Sequence, residues 1–338
     1  MYSGASDRYE NMTYDRVGNS GLKLSVLGLG FWHNFGSIDP FEKQKEIVHQ
    51  AFDLGITYYD LANNYGPVPG SAEENFGKLM NDDMKNHRDE MIIASKAGYE
   101  MWPGPYGNWG SRKSIIASAD QSLQRLNLDY VDIFYSHRPD PRTPAEETAL
   151  ALDQLVREGK TLYVGISNYL GSQTAEMIRI FKELKTPFIV DQVRYNMFNR
   201  KVEKDLFPVL ERQQKAAVAF SPLSQGLLTD KYLQGIPANS RAVKKSSPFL
   251  HQSQVEQTVE TVRKLNEIAK QREQSLAQMA LAWDLRQKAV SCVLVGASRP
   301  QQLVDNFNAL HNLEFSRREL AQIDQILDDQ PQIDWHKE

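Results

Sequence analysis

Eight short apolar runs along the chain each end in a glycine or a polar residue, and this regularity constrains the fold more than any other feature. The runs are Val26–Leu29 ending at Gly30, Thr57–Tyr59 at Asp60, Met91–Ser95 at Lys96 and Val131–Ser136 at His137. The other four are Leu162–Ile166 ending at Ser167 and Asn168, Phe188–Asp191 at Gln192, Ala217–Phe220 at Ser221 and Cys292–Val295 at Gly296. A strand, a helix and two connections need roughly 30 residues, and the ends recur at about that interval until one long insertion precedes the last. Runs this continuously apolar suit strands covered on both faces. The pattern predicts an α/β protein, a single (β/α)8 TIM barrel. Side chains at the carboxyl ends of such strands converge on one mouth. An acid, a lysine and a histidine at three of those ends are therefore candidates for one active site.

Composition narrows the class. With 338 residues, 41% of them hydrophobic, the chain can fill one large core. No shift in composition marks a boundary, so residues 1–338 are expected to form one domain, with a core over about 14–327 and polar tails. The net charge of −4 is mild and its signs are interspersed, which argues against nucleic acid or an anionic membrane as a partner. The single cysteine, Cys292, lies in an apolar run and reads as a small buried hydrophobe. The first 20 residues are polar and no apolar stretch approaches the roughly 20 residues of a spanning helix, so a cytoplasmic location is expected.

The first dozen residues are polar and expected to be loose. Tyr14–Val17 and Leu22–Leu24 flank Asn19-Ser20-Gly21 and predict a hairpin placed to plug the bottom of the barrel. Capping-box spacing occurs at Ser71–Glu74, Ser275–Gln278 and Ser316–Glu319. Ser111–Leu126 carries Ile115, Ile116, Ala119, Leu123 and Leu126 on one helical face. The helix bearing Lys264, Lys270 and Arg272 reads as a solvated face. Two connections are too long to be mere links: Tyr99–Gly110, rich in glycine, proline and aromatics, and Pro222–Ser253. Both are expected to rise over the mouth as substrate and cofactor lids, while the Lys244–Pro248 tip fits a disordered insertion.

Five residues after Asp60, a loop would bring Tyr65 back over the mouth. A phenol has an ordinary pKa of about 10 and is a poor acid near neutrality. A neighbouring ammonium favours the phenolate, and an acid beside the lysine holds the ammonium in place. Asp60, Lys96 and Tyr65 can form such a relay, with His137 hydrogen-bonding the reacting oxygen. Taken singly, Asp60 is equally a strand-end cap, Lys96 a surface lysine and His137 a satisfied polar group. Gly28-Leu29-Gly30 is only a fragment of a dinucleotide fingerprint, lacking the third glycine. The seven histidines show no zinc-ligand spacing, so no metal is expected.

Asp60 with Tyr65, Lys96 and His137 resemble the tetrad of the aldo-keto reductases, in order and at matching strand ends. Gly165-Ile166-Ser167-Asn168, Asp191-Gln192-Val193, Phe220-Ser221-Pro222-Leu223 and Gly296-Ala297-Ser298 with Gln302, Asp305 and Asn306 agree with that family. The resemblance covers about Tyr14 to Leu327. The stretch Asn63–Glu74 resembles the branch holding bacterial L-glyceraldehyde 3-phosphate (methylglyoxal) reductases and, more distantly, voltage-gated potassium channel β subunits. It implies NADPH-dependent reduction of small aldehydes and ketones, with L-glyceraldehyde 3-phosphate and methylglyoxal as the expected substrates.

In that reading Tyr65 donates the proton, Lys96 and Asp60 tune it, and His137 orients the substrate. Ser167, Asn168 and Gln192 would hold the cofactor carboxamide and Phe220 would stack on its ring. Ser221, Pro222, Leu223, Gln225 and Gly226 would wrap the pyrophosphate, with Lys231 and Arg241. Gly296, Ser298, Gln302, Asp305 and Asn306 would meet the adenosine end, and Gly30, Trp32 and Asp60 complete the cofactor set. A helix opening at Pro300 offers free N–H groups to phosphate. Arg299 there suits a 2′-phosphate, or else is a solvent-facing charge. Trp32, Tyr65, His137 and Arg138 would wall the substrate; Arg138 either forks onto an anionic group or pairs with Asp140 or a neighbouring loop acid. The resemblance also allows a homo-oligomer, of four subunits or more, with Trp335 as a weak hint of a contact. Two rivals stand: a cofactor-binding regulatory subunit of the channel type, and a Schiff-base aldolase acting through Lys96.

Overall fold

The computed structural model describes residues 2–238, 240, 242–243 and 250–329. Strands β1 (Tyr14–Arg16) and β2 (Lys23–Ser25) form an antiparallel hairpin. Eight parallel strands follow: β3 (Leu27–Gly30), β4 (Tyr58–Asp60), β5 (Ile92–Ala97), β6 (Val131–Ser136), β7 (Thr161–Ser167), β8 (Phe188–Arg194), β9 (Ala216–Phe220) and β10 (Val290–Val295). They close into a barrel, with β10 pairing both β9 and β3. Each expected run thus supplies one strand. The described residues divide into two compact units, one within 2–194, 201–220 and 288–304, the other within 195–200, 221–287 and 305–329. The barrel lies wholly in the first. No described helix is long and apolar enough to cross a membrane.

Alternation along the strands decides what fills the barrel. Tyr58, Ala94, Ile133, Tyr135, Val190, Val218, Cys292 and Leu294 form one buried cluster with Val17 and Leu24 of the hairpin. Because β2 runs directly into β3, the hairpin covers the amino ends of the strands, as expected. Two glycines make room for the tyrosines. A Cβ on Gly28 would stand 2.7 Å from the Tyr58 ring, and one on Gly165 would stand 2.3 Å from the Tyr135 ring. Gly28 therefore answers to packing, not to a nucleotide.

Three local expectations need correction. Residues 2–12, expected to be loose with the rest of the first dozen, are docked: Tyr2 stacks on His49 at 3.8 Å, and the Ala5 amide donates to Asp53 Oδ1 at 2.7 Å. Ser71 is not a cap. The helix Ser71–Leu79 starts one residue earlier than its spacing suggests, capped by Gly70 at φ 92°, because Ser71 Oγ donates instead to the Val68 carbonyl. The boxes at Ser275 and Ser316 do form. Within the second unit Arg272 is buried against Phe315 and paired with Glu319 at 2.7 Å, so it is no part of a solvated face.

Gly165→Ala is expected to destabilise the barrel by about 1–3 kcal/mol, since the added methyl must displace a fully buried ring. Urea unfolding followed by fluorescence checks it; an unchanged midpoint would show that Tyr135 has room to move.

Candidate active site

Parallel pairing brings the strand-end groups together. Asp60 pairs in register with Ala94, so Lys96 follows on the same face one pleat further along the neighbouring strand. Lys96 is fully buried, and its Nζ donates to Asp60 Oδ2 at 2.7 Å, to the Leu61 carbonyl at 2.6 Å and to Tyr65 Oη at 3.4 Å. Three ammonium protons meet three acceptors. The other Asp60 oxygen accepts from Gln192 Nε2 at 2.7 Å and from Tyr58 Oη at 3.1 Å, and Tyr58 Oη in turn lies 2.9 Å from Tyr135 Oη. Tyr58 and Tyr135 escape a reading confined to strand ends. They stand two residues before Asp60 and His137, and that i, i+2 spacing was the available signal.

The protonation states follow from burial. Desolvation pushes the Lys96 pKa down, opposed by the Asp60 carboxylate and, more weakly, by Glu73. Tyr65 departs from the expected depression. Burial, then the Asp60 charge, hold its phenol well above the usual range, so it is present as the neutral acid. His137 is pushed well below the ordinary imidazole range by burial and by the Lys96 and Arg138 charges. Its ring meets the Tyr65 ring edge-on at 5.7 Å and the Tyr99 ring at 4.7 Å, and its buried Nδ1 has no hydrogen-bond partner among the described residues.

The structural alternative for Arg138, an ion pair with Asp140, needs correction. Arg138 forms no ion pair with Asp140, whose carboxylate instead accepts from the Gly110 and Arg142 amides and from Thr143. The Arg138 guanidinium lies 3.6 Å over the Trp109 ring and 4.3 Å over the Tyr99 ring. It donates to the Gly98 carbonyl and to Asn108 Oδ1, both at 2.9 Å. The cation is thus built into the Tyr99–Gly110 loop.

The residues assigned to a cofactor fall in both units. In the first, Asn168 adopts φ 63° and donates to Ser167 Oγ at 3.0 Å and to the His137 carbonyl at 3.1 Å. Gln192 is already engaged through its amide with Asp60, while Phe220 ends β9 half-buried. Trp32 packs against the His33 ring at 4.2 Å. Ser298 and Gln302 lock together, the Ser298 amide donating to Gln302 Oε1 at 2.8 Å just before the helix Pro300–Phe307, and Arg299 is exposed. In the second unit Ser221 and Gln225 hold left-handed backbone, at φ 55° and 59°, in a turn that includes Pro222, Leu223 and Gly226. Lys231 is exposed, as is Asp305, whereas Asn306 is buried. Arg241, Trp335 and the Lys244–Pro248 tip lie outside the described residues. Among the described residues a Cβ at Gly296 would meet nothing within 4 Å, and one at Gly30 only the Val295 carbonyl at 3.8 Å. Neither glycine is required by protein packing or by a left-handed φ.

In this closed parallel barrel an acid, a buried ammonium and a neutral imidazole adjoin at strand ends, with a neutral phenol on the loop that follows the acid, an arrangement of barrel-enzyme type suited to moving a proton. Residues 26–328 match the aldo/keto reductase family, and the chain belongs to that family of oxidoreductases. It is 53% identical over 327 residues to L-glyceraldehyde 3-phosphate reductase of Escherichia coli, across 96% of this chain and 94% of that protein. The protein of the same name from Escherichia coli O157:H7 is 54% identical over the same length. A rice protein named probable voltage-gated potassium channel subunit beta is 36% identical over 305 residues, 88% of this chain and 91% of that one.

The depressed His137 pKa makes stability pH-dependent. The folded state binds fewer protons than the unfolded chain below the ordinary imidazole pKa of about 6.5, so stability is fully present above it and falls as pH falls. The slope approaches about 1.4 kcal/mol per pH unit. Urea unfolding of wild type and His137→Gln at about pH 7.5 and 5.5 isolates this group. Wild type should lose more than the variant; equal losses would mean that His137 is not held neutral.

Proposed function

We propose that the chain reduces small aldehydes to alcohols with NADPH, taking L-glyceraldehyde 3-phosphate as the better substrate and methylglyoxal as a second. The observation that carries the reading is the Lys96 ammonium, fully buried between the Asp60 carboxylate and the Tyr65 phenol. A Schiff-base role for Lys96 is disfavoured by the same contacts, which occupy each ammonium proton. The close likeness to a named L-glyceraldehyde 3-phosphate reductase favours the substrate.

The residues suit a nicotinamide dinucleotide. Glycine at Gly30 and Gly296 is explained by a ligand lying against bare backbone, as no protein atom demands it. Ser167, Asn168 and Gln192 would hold the carboxamide, Phe220 the ring, the Ser221–Gly226 turn with Lys231 and Arg241 the pyrophosphate, and Ser298, Arg299, Gln302, Asp305 and Asn306 the adenosine end. Arg299 and the lack of an acid in the first turn after Gly296 favour the 2′-phosphate form. When bound, this group supplies the hydride.

The chain's own part is proton supply and orientation. Tyr65, neutral because it is buried, donates its Oη proton to the carbonyl oxygen as negative charge develops there. The Lys96 ammonium, in contact with that Oη, stabilises the phenolate left behind. Asp60 keeps the ammonium charged and in place, and Gln192 and Tyr58 keep the carboxylate aimed. The neutral His137 ring donates a hydrogen bond to the same substrate oxygen. Arg138, fixed between Trp109 and Tyr99, presents its remaining N–H groups to a phosphate.

Tyr65→Phe should lower carbonyl reduction by about 10²–10⁴-fold, the usual contribution of a positioned acid, and leave cofactor affinity nearly unchanged. Turnover and cofactor fluorescence titration on one preparation test this, and activity within tenfold of wild type would remove Tyr65 as the donor. Arg138→Ala should cost kcat/KM at least tenfold more with L-glyceraldehyde 3-phosphate than with methylglyoxal, about the worth of one charge-assisted contact. Parallel losses on the two substrates would mean that Arg138 serves the loop alone.

A further inference from the structure

One buried carboxylate remains outside that relay. Glu73, in the first turn of the helix Ser71–Leu79, has no exposed surface. Its Oε1 accepts from Ser95 Oγ at 2.5 Å, and its Oε2 accepts from Arg125 Nε at 2.7 Å. Ser95 immediately precedes Lys96 on β5, and the two side chains point to opposite faces of the strand. Glu73 therefore stands behind the strand that carries Lys96, on the side away from Asp60. The same helix begins directly after the Tyr65 loop, and the Ala72 amide donates to the Tyr65 carbonyl at 3.3 Å. Arg125 closes the arrangement: a Cβ on Gly70 would stand 3.1 Å from its Cδ. One carboxylate thus joins the loop holding Tyr65, the strand holding Lys96 and the helix Arg112–Leu126.

Packing alone does not call for such a group. A buried ion pair is commonly no more stabilising than apolar side chains of the same volume. Resting on the reductase reading above, we infer that Glu73 is a positioning residue for carbonyl reduction, acting through Lys96: its negative charge supports the ammonium from behind, and its hydrogen bonds fix the spacing of Tyr65 and Lys96. The other charged and titratable groups facing Lys96 are Asp60 on β4, Tyr65 in the loop, Tyr135 and His137 from β6, and Arg138 beyond them. Of the acids that act on Lys96, only Asp60 and Glu73 hold its proton on.

The test compares wild type with Glu73→Gln and with Glu73→Gln/Arg125→Met. The single variant leaves Arg125 unpaired and unfavourable to the ammonium; the double variant removes both charges and should fold even where the single one does not. Two readouts are used: the pH profile of kcat, and titration of the Lys96 ¹³Cε resonance, assigned with Lys96→Met. A charge beyond direct contact acts through an effective dielectric constant of about 20, enough to move the basic limb and the lysine titration down by about half a unit or more in Glu73→Gln. The order expected is wild type highest, the double variant intermediate and Glu73→Gln lowest. Lowered thermal stability with both readouts unmoved would overturn the inference. Absence of any carbonyl reduction by wild type would instead remove the reductase reading, and the lysine titration would then decide the role of Glu73 by itself.

Discussion

An ammonium without solvent is the constraint around which this molecule is arranged. Removing a charged amine from water costs several kcal/mol unless its protons are met and its charge is opposed. Here Asp60 Oδ2, the Leu61 carbonyl and Tyr65 Oη do the first, and Asp60 does the second. Meeting those conditions fixes the register of β4 against β5, the direction in which the chain leaves β4, and the return of the loop that carries Tyr65. It also explains the polar column beneath. Asp60 would otherwise face apolar core with an unmet oxygen, and Tyr58 and Gln192 supply the donors.

The tyrosines tie catalytic geometry to barrel packing. Their rings belong to the hydrophobic interior, while their hydroxyls belong to the site, and Gly28 and Gly165 allow both at once. Side chains in a close-packed interior transmit strain rather than absorb it. A methyl added at either glycine would therefore be felt at the Asp60 carboxylate as well as in the core.

Much of this was legible in the residue order. Strand runs covered on both faces leave an unbroken apolar signature, which is why all eight barrel strands, the plugging hairpin and the four strand-end and loop groups could be read directly. What escaped was decided by tertiary contact. The Ser71–Glu74 spacing fits a capping box, yet Ser71 turned to the Val68 carbonyl, and the neighbouring Glu73, which no local pattern singles out, pairs with Arg125 far along the chain. Arg138 has an acid two positions on, but aromatic faces and a loop carbonyl hold it instead. Tyr65 was expected to be depressed by a nearby cation; desolvation, which sequence does not display, sets the direction. The docking of Tyr2 on His49 likewise joins segments that no local pattern links.

The Arg138 cage has a consequence for how a ligand is received. The Met101 amide bonds the Gly107 carbonyl, the Trp109 amide bonds the Gly98 carbonyl, and Thr148 Oγ1 donates to the Gly110 carbonyl, so the loop is tied at both ends and across its middle. Fixing backbone costs about 1–2 kcal/mol of conformational entropy per residue. For this loop that ordering belongs to folding, not to association. In the proposed reading, an anionic ligand at Arg138 would meet a surface already shaped, and the free energy of its contacts would go to affinity and orientation instead of to arresting a mobile flap.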